Sequence, residues 1–231
     1  MTDHAASEGD FDSYLYAITH DLKSFSRAMR VIPDWIVEDM AEAQASLPGD
    51  VADHLMMLQH YARGMDRMLD GLTDLSRVGR LANTPGPVDL REALAQAWAE
   101  TPDRQGFQAD FDAVDLCVQV PANDLRRLLM AVLSNAVRHH DGTGGRVTAS
   151  ACHQDGRVVL RISDDGPGIP PEYHDKVFEP LHTLRPKDET GYSGLGLTVA
   201  RKVATTLGGG ISVAETGTPR GCTILCDLPA S

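Results

Sequence analysis

The 231-residue chain is 42% hydrophobic and 23% charged, a composition that describes a globular protein and excludes a disordered one. Its formal net charge is −12 and no cluster of Lys and Arg occurs, which argues against nucleic-acid binding. No run of about 18 apolar residues occurs, and the N-terminus lacks the apolar segment of a signal peptide. We therefore expect no membrane insertion and a cytoplasmic location.

The N-terminal third predicts two long helices. Apolar residues recur at intervals of three and four in residues 11–46, behind a tail of residues 1–10, and again in residues 51–79 after a Leu-Pro-Gly-Asp breaker. Pro33 lies inside the first helix and is expected to kink it. Two long helices joined by a short turn predict an antiparallel hairpin over residues 11–80.

Each predicted helix carries a wide apolar stripe that one hairpin cannot bury by itself. Ile18, Leu22 and Phe25 belong to the stripe of the first helix, and Leu69 belongs to that of the second. Hairpins from two chains can bury both stripes in a four-helix bundle, so the sequence predicts a homodimer. The alternative is that the stripe packs against a second domain of the same chain.

That second domain, residues 89–231, follows a linker at residues 81–88 and mixes helices with strands. Asp89 and Glu92 form a capping pattern ahead of a helix that reaches about Ala99. Further helices are predicted near residues 123–139 and 194–207, and strands near residues 106–111, 115–120, 146–153, 157–163, 211–215 and 222–228. The predicted fold class is α+β, a helical hairpin followed by an α/β sandwich.

Four short motifs follow one another in the second domain. They are LSNAVR at 133–138 within a predicted helix, SDDGPGIP at 163–170 after a strand, KVFEP at 176–180, and GYSGLGL at 191–197 opening a helix. Each motif is a weak signal by itself. Four of them in this order, each on the expected element, indicate an ATP site.

The second of these motifs fits the recognition of adenine. A carboxylate held at the end of a strand, that of Asp164, can accept a hydrogen bond from the exocyclic amine of the base. Gly166 and Gly168 allow the backbone to approach a flat ring closely. The motif therefore predicts the part of the site that holds the base.

The first and last motifs fit the phosphates and a metal ion. Gly194, Leu195 and Gly196 form a glycine-rich loop that opens a helix, and such a loop offers backbone N–H groups and the positive end of the helix dipole to phosphate. Asn135 on the facing helix can ligate Mg2+ through its carbonyl oxygen. Arg138, about one helical turn later, can meet a phosphate oxygen.

Over about residues 84–229 the series resembles the N, G1, F and G2 boxes of the GHKL, or Bergerat, ATPase fold that gyrase, Hsp90, MutL and histidine kinases share. The resemblance implies that Asp164 recognises adenine, that Thr223 supports adenine through a water molecule, and that Asn135 binds Mg2+. It also implies that His139 occupies the place where the family often has an aromatic ring near the nucleotide.

The same resemblance implies a mobile lid over residues 181–193, in which Lys187 or Arg185 touches phosphate. One position departs from the pattern. Four residues before Asn135, kinases usually carry a second Asn and ATPases of this fold carry a Glu, whereas this chain has Ala131. The missing Glu argues against plain hydrolysis of ATP, and the missing Asn bears on the affinity for Mg2+.

The motif THDLKS on the first helix resembles the H box of histidine kinases, His-Asp/Glu-Leu-Lys/Arg. The resemblance implies that His20 accepts a phosphoryl group and that Asp21 fixes its tautomer. Ser24 stands where the family often has a Thr or Asn for phosphatase activity, and Phe25 replaces the usual proline. Residues 74–80 resemble the same region of phytochrome-type kinases.

Together these features predict the core of a two-component histidine kinase, which uses ATP and Mg2+ to phosphorylate His20 and passes the phosphoryl group to an Asp of a response-regulator receiver domain. A histidine phosphotransferase with a degenerate ATP domain is the nearest alternative, and an anti-sigma-factor serine kinase is a more distant one. Too few residues precede the first helix for a sensor domain. We therefore expect either that the chain is a fragment or that its signal comes from a separate partner.

Overall fold

The computed structural model describes residues 2–80, 84–184, 193–214 and 220–230, and in the first helix it describes side chains from Tyr16 onward, except at residue 17. The chain forms two compact units. The first is helical up to Arg77 and also takes in the described part of Thr183–Gly194, and the second is a mixed α/β unit of Val78–His182 and Leu195–Ser231. No helix within the described ranges is long and apolar enough to cross a membrane.

The helical unit is a hairpin of two long helices, as the apolar periodicity predicts. Helix α1 spans Thr2–Glu42, helix α2 spans Gly49–Arg77, and the two helices pack against each other. Helix α1 remains a single helix across Pro33. A proline removes one backbone hydrogen bond, and the packed turns on either side of it hold a long helix together.

The start of α1 differs from the prediction. The helix begins at Thr2, so the separate tail predicted for residues 1–10 is wrong and these residues are helical from the second onward. The apolar periodicity that set the predicted start is absent from these turns. Residues such as Ala5, Ala6 and Glu8 still favour a helix through their intrinsic propensity.

The surface between α1 and α2 is lined mostly by small or hydroxyl-bearing side chains. Thr19 and Ser26 of α1 are buried, as are Ala62, Leu69 and Thr73 of α2. The Ser26 hydroxyl donates to the carbonyl oxygen of Ala62 at 3.2 Å. Small side chains let the helix axes approach closely, and a buried hydroxyl that has a hydrogen-bond partner avoids the penalty of an unsatisfied group.

Charged pairs connect the two helices at the edge of this surface. Lys23 Nζ lies 2.7 Å from Asp70 Oδ1, and Arg30 Nη1 lies 3.4 Å from Asp66 Oδ2. Exposed pairs of this kind add little stability each. They do match the antiparallel register, because a later residue of α1 meets an earlier residue of α2.

The largest apolar side chains of the hairpin are exposed rather than buried between its helices. Ile18 is 56% exposed, Leu22 40% and Phe25 65%. Other large apolar side chains exposed on the hairpin are Tyr16, Ile32, Trp35, Ile36, Val37, Val51, Met56, Met57, Leu58 and Tyr61. One hairpin therefore leaves an apolar stripe uncovered, as predicted, but Leu69 is not part of it because that side chain is buried between α1 and α2.

The α/β unit follows the predicted order of elements. Among the described residues, its α-helices are α3 (Leu90–Glu100), α4 (Ala122–Arg138) and α5 (Gly196–Thr206), and its strands are β1 (Gly86–Asp89), β2 (Phe107–Ala113), β3 (Cys117–Val120), β4 (Gly145–Gln154), β5 (Arg157–Asp164), β6 (Gly210–Val213) and β7 (Cys222–Pro229). The helix α3 is capped as predicted, because the Asp89 carboxylate accepts a hydrogen bond from the backbone N–H of Glu92 at 2.9 Å.

Five strands form one sheet in the order β2-β4-β5-β7-β6, in which β2 runs parallel to β4 and the other neighbours are antiparallel. Helix α4 packs against α3 and α5 and also contacts β4 and β5. Fully buried leucines fill the space, among them Leu94, Leu128, Leu133, Leu160 and Leu228. The result is a helix layer on a mixed sheet, the α/β sandwich that the sequence predicts.

Part of the predicted linker is a strand. Within residues 81–88, Gly86 pairs with Val120 and Val88 pairs with Val118 in a two-stranded antiparallel sheet. The composition of this stretch is typical of a linker, and its prolines cannot donate to a sheet. Prolines are tolerated at sheet edges, so the pairing with β3 overrides the local signal.

Candidate functional site

Asp164 lies at the end of β5, beside the start of β7. Its Oδ1 accepts hydrogen bonds from the backbone N–H groups of Gly166 at 3.0 Å and Cys222 at 3.3 Å, and Cys222 is its partner in the sheet register. Burial raises the pKa of the Asp164 carboxyl, and the two N–H donors act in the opposite direction. The carboxylate is therefore held in one orientation at a strand end, the place that the sequence predicts.

Thr223 lies next in the chain after Cys222 and is buried. Its Oγ1 is 2.8 Å from the hydroxyl oxygen of Ser163, its register partner on β5. The register partner of Asp164 is Cys222, and successive residues of a strand point to opposite faces of the sheet, so the contact of Thr223 with adenine stays a prediction. Ser163 is a member of this polar group that the sequence did not single out.

The glycines after Asp164 are required by close contacts between two loops. Gly168 has a φ of +80°, and a Cβ there would lie 2.9 Å from the carbonyl oxygen of Gly221. A Cβ on Gly166 would lie 3.0 Å from Asp164 Oδ1, and a Cβ on Gly221 would lie 2.6 Å from the carbonyl oxygen of Asp164. These glycines let the turn after β5 pack against the chain entering β7, a role beyond the predicted approach to a base.

Three predicted residues lie at the C-terminal end of α4. Asn135 and Arg138 are separated by three positions and so share a helix face, and both are partly exposed. His139 ends the helix, and its backbone N–H donates to the carbonyl oxygen of Asn135 at 3.1 Å. Ala131 lies one turn before Asn135 and offers no side-chain oxygen. No cluster of His, Cys, Asp or Glu able to hold a metal occurs among the described residues, so Mg2+ at Asn135 stays a prediction.

The loop ahead of α5 has the geometry that the motif predicts. Gly194 has a φ of +66°, Leu195 is the N-cap and is buried, and Gly196 is the first helical residue. No side chain of the cap residue bonds to the first turn. The backbone N–H groups of that turn can therefore bind an anion. Lys187 and Arg185, predicted to touch phosphate, lie outside the described residues.

His140, which the sequence analysis passed over in favour of His139, is buried beside the Asp164 turn. Its side chain is only 7% exposed, and Nε2 lies 3.1 Å from Asp165 Oδ1. The backbone N–H of Gly142 donates to Nδ1 at 2.9 Å, and the ring of Phe107 lies edge-on at 5.2 Å. The signal for this residue in the sequence was Asp165, the second of two neighbouring aspartates at the end of β5. This signal could be interpreted only after the fold had brought the end of α4 next to Asp165.

The H box lies on the exposed side of α1. The side chain of His20 is 75% exposed, and its Nδ1 lies 3.2 Å from Asp21 Oδ1. The Ser24 hydroxyl donates to the carbonyl oxygen of Asp21 at 2.6 Å. His20 is exposed, but Ile18 and Leu22 on either side of it are also exposed within one chain, so its outward orientation in a bundle stays a prediction.

Comparison with known families and proteins agrees with this arrangement. Residues 121–231 match the family described as histidine kinase-, DNA gyrase B-, and HSP90-like ATPase. The chain is 27% identical over 231 residues to the methanogenesis regulatory histidine kinase FilI of Methanothrix harundinacea, which covers 97% of this chain and 25% of the relative. It is 28% identical over 228 residues to the sensor protein KdpD of Mycobacterium tuberculosis, which covers 94% of this chain and 26% of the relative. The chain thus spans about a quarter of the length of these two relatives.

Solved structures share the fold. The mycobacterial sensor histidine kinase MprB is 29% identical, with a TM-score of 0.55 over 63% of this chain and 97% of that one. Full-length ShkA in complex with AMPPNP is 19% identical, with a TM-score of 0.66 over 94% of this chain and 45% of that one. The histidine kinase ThkA in complex with the response regulator protein TrrA is 17% identical, with a TM-score of 0.65 over 100% of this chain and 66% of that one. The last two cover the hairpin as well as the α/β unit.

Proposed function

We propose that this chain is the kinase core of a two-component sensor histidine kinase, which transfers the γ-phosphoryl group of ATP to His20 and from there to an aspartate of a response-regulator receiver domain. One observation carries the proposal. A carboxylate fixed by two backbone donors, that of Asp164, lies in a domain that matches an ATPase family, on the same chain as an exposed histidine that is paired with a carboxylate. The relatives support the same activity, since they are named sensor proteins and histidine kinases.

In the proposed complex, Asp164 recognises the base. Its Oδ1 already accepts two backbone donors, which leaves Oδ2 to accept the hydrogen bond from the exocyclic amine of adenine. A carboxylate fixed in this way loses no orientational freedom when the base binds. Thr223 would hold a water molecule between its hydroxyl and the ring, as the family resemblance implies.

At the other end of the nucleotide, the first turn of α5 receives the phosphates. Gly194 and Gly196 keep side chains away from the N–H groups of that turn, and Arg138 supplies a cation at the end of α4. We propose Mg2+ as the metal, with the amide oxygen of Asn135 as a protein ligand. Phosphate oxygens and water molecules would supply its other ligands. Lys187 is the proposed lid cation.

The proposed acceptor step occurs at the Nε2 atom of His20. A neutral imidazole whose Nδ1–H is held by Asp21 presents an unprotonated Nε2 to the γ-phosphorus. The bond between Nε2 and phosphorus forms as the bond between phosphorus and the bridging oxygen of ADP breaks. The Nδ1 proton then leaves to Asp21 or to water, so that the phosphohistidine ring is neutral.

Ala131, which lies one helical turn before Asn135, favours transfer of the phosphoryl group to a histidine over transfer to water. ATPases of this fold carry a glutamate at the position of Ala131, and a glutamate can deprotonate an attacking water. Alanine has no group for this purpose. A nucleophile that brings its own base, as His20 does with Asp21, does not need one.

We further propose that the chain acts as a homodimer. The large apolar side chains exposed along the hairpin, such as Phe25, Trp35 and Met56, are of the kind that marks an interaction site on a folded protein. A second copy of the hairpin presents the same stripe, and the two stripes cover each other in a four-helix bundle. Each fully buried Leu or Phe would contribute roughly 1.5–3 kcal/mol before the entropy of association is counted.

The proposed second substrate is a receiver domain. His20 is exposed, so that an ATP-binding domain and a receiver can reach it in turn. A kinase of the same fold, ThkA, has been solved in complex with a response regulator protein. The phytochrome-type character of the H box stays a prediction.

Incubation of the protein with γ-labelled ATP and Mg2+ tests the proposal. We expect label on the protein that is lost in acid and kept in base, the behaviour of a phosphohistidine, and transfer of that label to a receiver domain. A protein that binds ATP but takes up no label, yet accepts phosphate from another phosphorylated receiver, would favour the phosphotransferase alternative. Acid-stable label would contradict both and favour a serine kinase.

A further inference from the structure

Four side chains around the Asp164 turn form a network that joins three separate parts of the α/β unit. His140 and Asp141 follow the end of α4, Asp165 follows Asp164 at the end of β5, and Arg220 precedes β7. None of them was assigned a role by the nucleotide motifs. We call these four residues the turn brace.

His140 ties the end of α4 to the turn. Its Nδ1 accepts a hydrogen bond from the backbone N–H of Gly142, so the neutral ring carries its proton on Nε2 and donates it to Asp165 Oδ1 at 3.1 Å. The same carboxylate oxygen also accepts the backbone N–H of Arg146 at 2.8 Å. A Cβ on Gly145 would lie 2.7 Å from both His140 Nε2 and Asp165 Oδ1, so the chain leaves room for this bond only because a glycine stands there.

Arg220 ties the same turn to the entry of β7. Its two terminal nitrogens bind the two carboxylate oxygens of Asp141 at 2.9 and 3.0 Å, and Nη2 also donates to the carbonyl oxygen of Asp165 at 3.2 Å. The fork geometry of a guanidinium fits a carboxylate in this bidentate way, whereas an ammonium does not. Asp165 is thus held on its side chain by His140 and on its backbone by Arg220.

The brace acts on the backbone that orients Asp164. Directly after Arg220, the N–H of Gly221 donates to the carbonyl oxygen of Gly166 at 2.8 Å, and the N–H of Cys222 donates to Asp164 Oδ1 at 3.3 Å. A shift of Arg220 would move both donors. Asp165 lies between Asp164 and Gly166 in the chain, so a shift of Asp165 would also move the Gly166 N–H that donates to Asp164 Oδ1. The orientation of the adenine-recognising carboxylate therefore depends on groups that do not touch the base.

We propose that His140, Asp141, Asp165 and Arg220 are positioning residues for adenine, which hold the Asp164 carboxylate at the angle that distinguishes an exocyclic amine from a carbonyl oxygen. The inference rests on the proposed function, in which Asp164 accepts that amine. Asp141 and Arg220 are largely exposed, and exposed ion pairs contribute little to folding. Their removal should therefore change base selectivity more than it changes stability.

The test compares two nucleotides with the full chain in the presence of Mg2+. ADP carries the amine, and inosine diphosphate carries a carbonyl oxygen at the same position. Titration calorimetry gives the Kd of each, and thermal unfolding gives the Tm. The variants are His140→Ala and Arg220→Ala, with His140→Gln as the conservative form, since its amide can donate to Asp165 and accept from Gly142. Arg126→Ala is the matched control, because Arg126 pairs with Glu100 at the other end of α4.

We expect His140→Ala and Arg220→Ala to weaken ADP binding about tenfold, the equivalent of one hydrogen bond to a charged group, with a smaller loss for inosine diphosphate. His140→Gln and Arg126→Ala should keep the preference for ADP. The inference is overturned if Arg220→Ala keeps the wild-type preference for ADP over inosine diphosphate. It is also overturned if both alanine variants weaken the binding of the two nucleotides equally and have a lowered Tm. A wild-type protein without any preference for ADP would instead contradict the adenine role of Asp164 itself.

Discussion

The carboxylate of Asp164 and the backbone N–H of Cys222 are 3.3 Å apart although 58 positions separate the two residues in the sequence. The contact exists because β5 and β7 are neighbours in the sheet, and because Asp164 and Cys222 are register partners at its end. It gives one oxygen of a partly buried carboxylate a fixed partner. The adenine-recognising group is therefore tied to the sheet, and its orientation depends on strand pairing as well as on the turn that follows it, whose Gly166 N–H is its second donor.

Replacing this carboxylate should separate binding from stability. We expect Asp164→Asn to weaken ADP binding by about 2 kcal/mol, or roughly thirtyfold, because an amide cannot accept the amine as strongly as a carboxylate. Burial raises the pKa of Asp164, so its ionised form costs stability at neutral pH, and the variant should unfold at the same or a higher Tm. Calorimetry and thermal unfolding measure the two effects. An unchanged Kd for ADP would rule out the adenine role.

The neighbouring carboxylate should behave in the opposite way with pH. The backbone N–H of Arg146, and then His140, hold the pKa of Asp165 below its ordinary value of 3.8. Its ionised form therefore stabilises the fold above about pH 3.8, and this contribution is lost as the pH falls through the lowered pKa. We expect Asp165→Asn to lower the Tm at pH 7 and to converge with the wild type in strong acid. A Tm difference that does not shrink as the pH falls below 3.8 would contradict this account.

Labelling should depend on one histidine of the hairpin. We expect His20→Ala to abolish incorporation of label from γ-labelled ATP while the Kd for ADP stays unchanged, because His20 and Asp164, the residue proposed to recognise adenine, lie in different units of the chain. His54→Ala is the matched control, since His54 is also an exposed histidine of the hairpin. Full labelling of the His20 variant, or loss of labelling in the control, would refute the assignment.

A substitution at an exposed apolar residue of the hairpin tests the dimer prediction more directly than a substitution at a residue buried within the hairpin. We expect Phe25→Asp to convert the dimer into a monomer, because Phe25 is 65% exposed in one chain and its burial needs a partner. Arg27→Asp, at an exposed position two residues on, should leave the dimer intact. Leu69→Asp is unsuitable because Leu69 is buried between α1 and α2, and its replacement would disrupt the hairpin itself. Light scattering at micromolar concentration measures the mass, and a wild-type monomer would contradict the prediction.

Much of the α/β unit could be predicted because its signals are local. The capping pair Asp89 and Glu92, the helix that carries Asn135 and the glycine-rich start of α5 are each encoded within a few consecutive residues. The errors arose where local signals were weak or misleading. The first turns of α1 have no apolar periodicity, and the proline-containing strand β1 has the composition of a linker.

By itself, the sequence determined the order of the elements, the motifs that identify an ATP site and the exposure of His20, because periodicity, caps and glycine loops act over short distances along the chain. Tertiary structure alone decided that the His140 side chain is buried beside Asp165. It also decided that Thr19 and Ser26, rather than Ile18 and Leu22, face the second helix of the hairpin. These outcomes depend on which distant segments pack together, and hydrogen bonds such as those of Arg220 to Asp141 join residues that no local pattern relates.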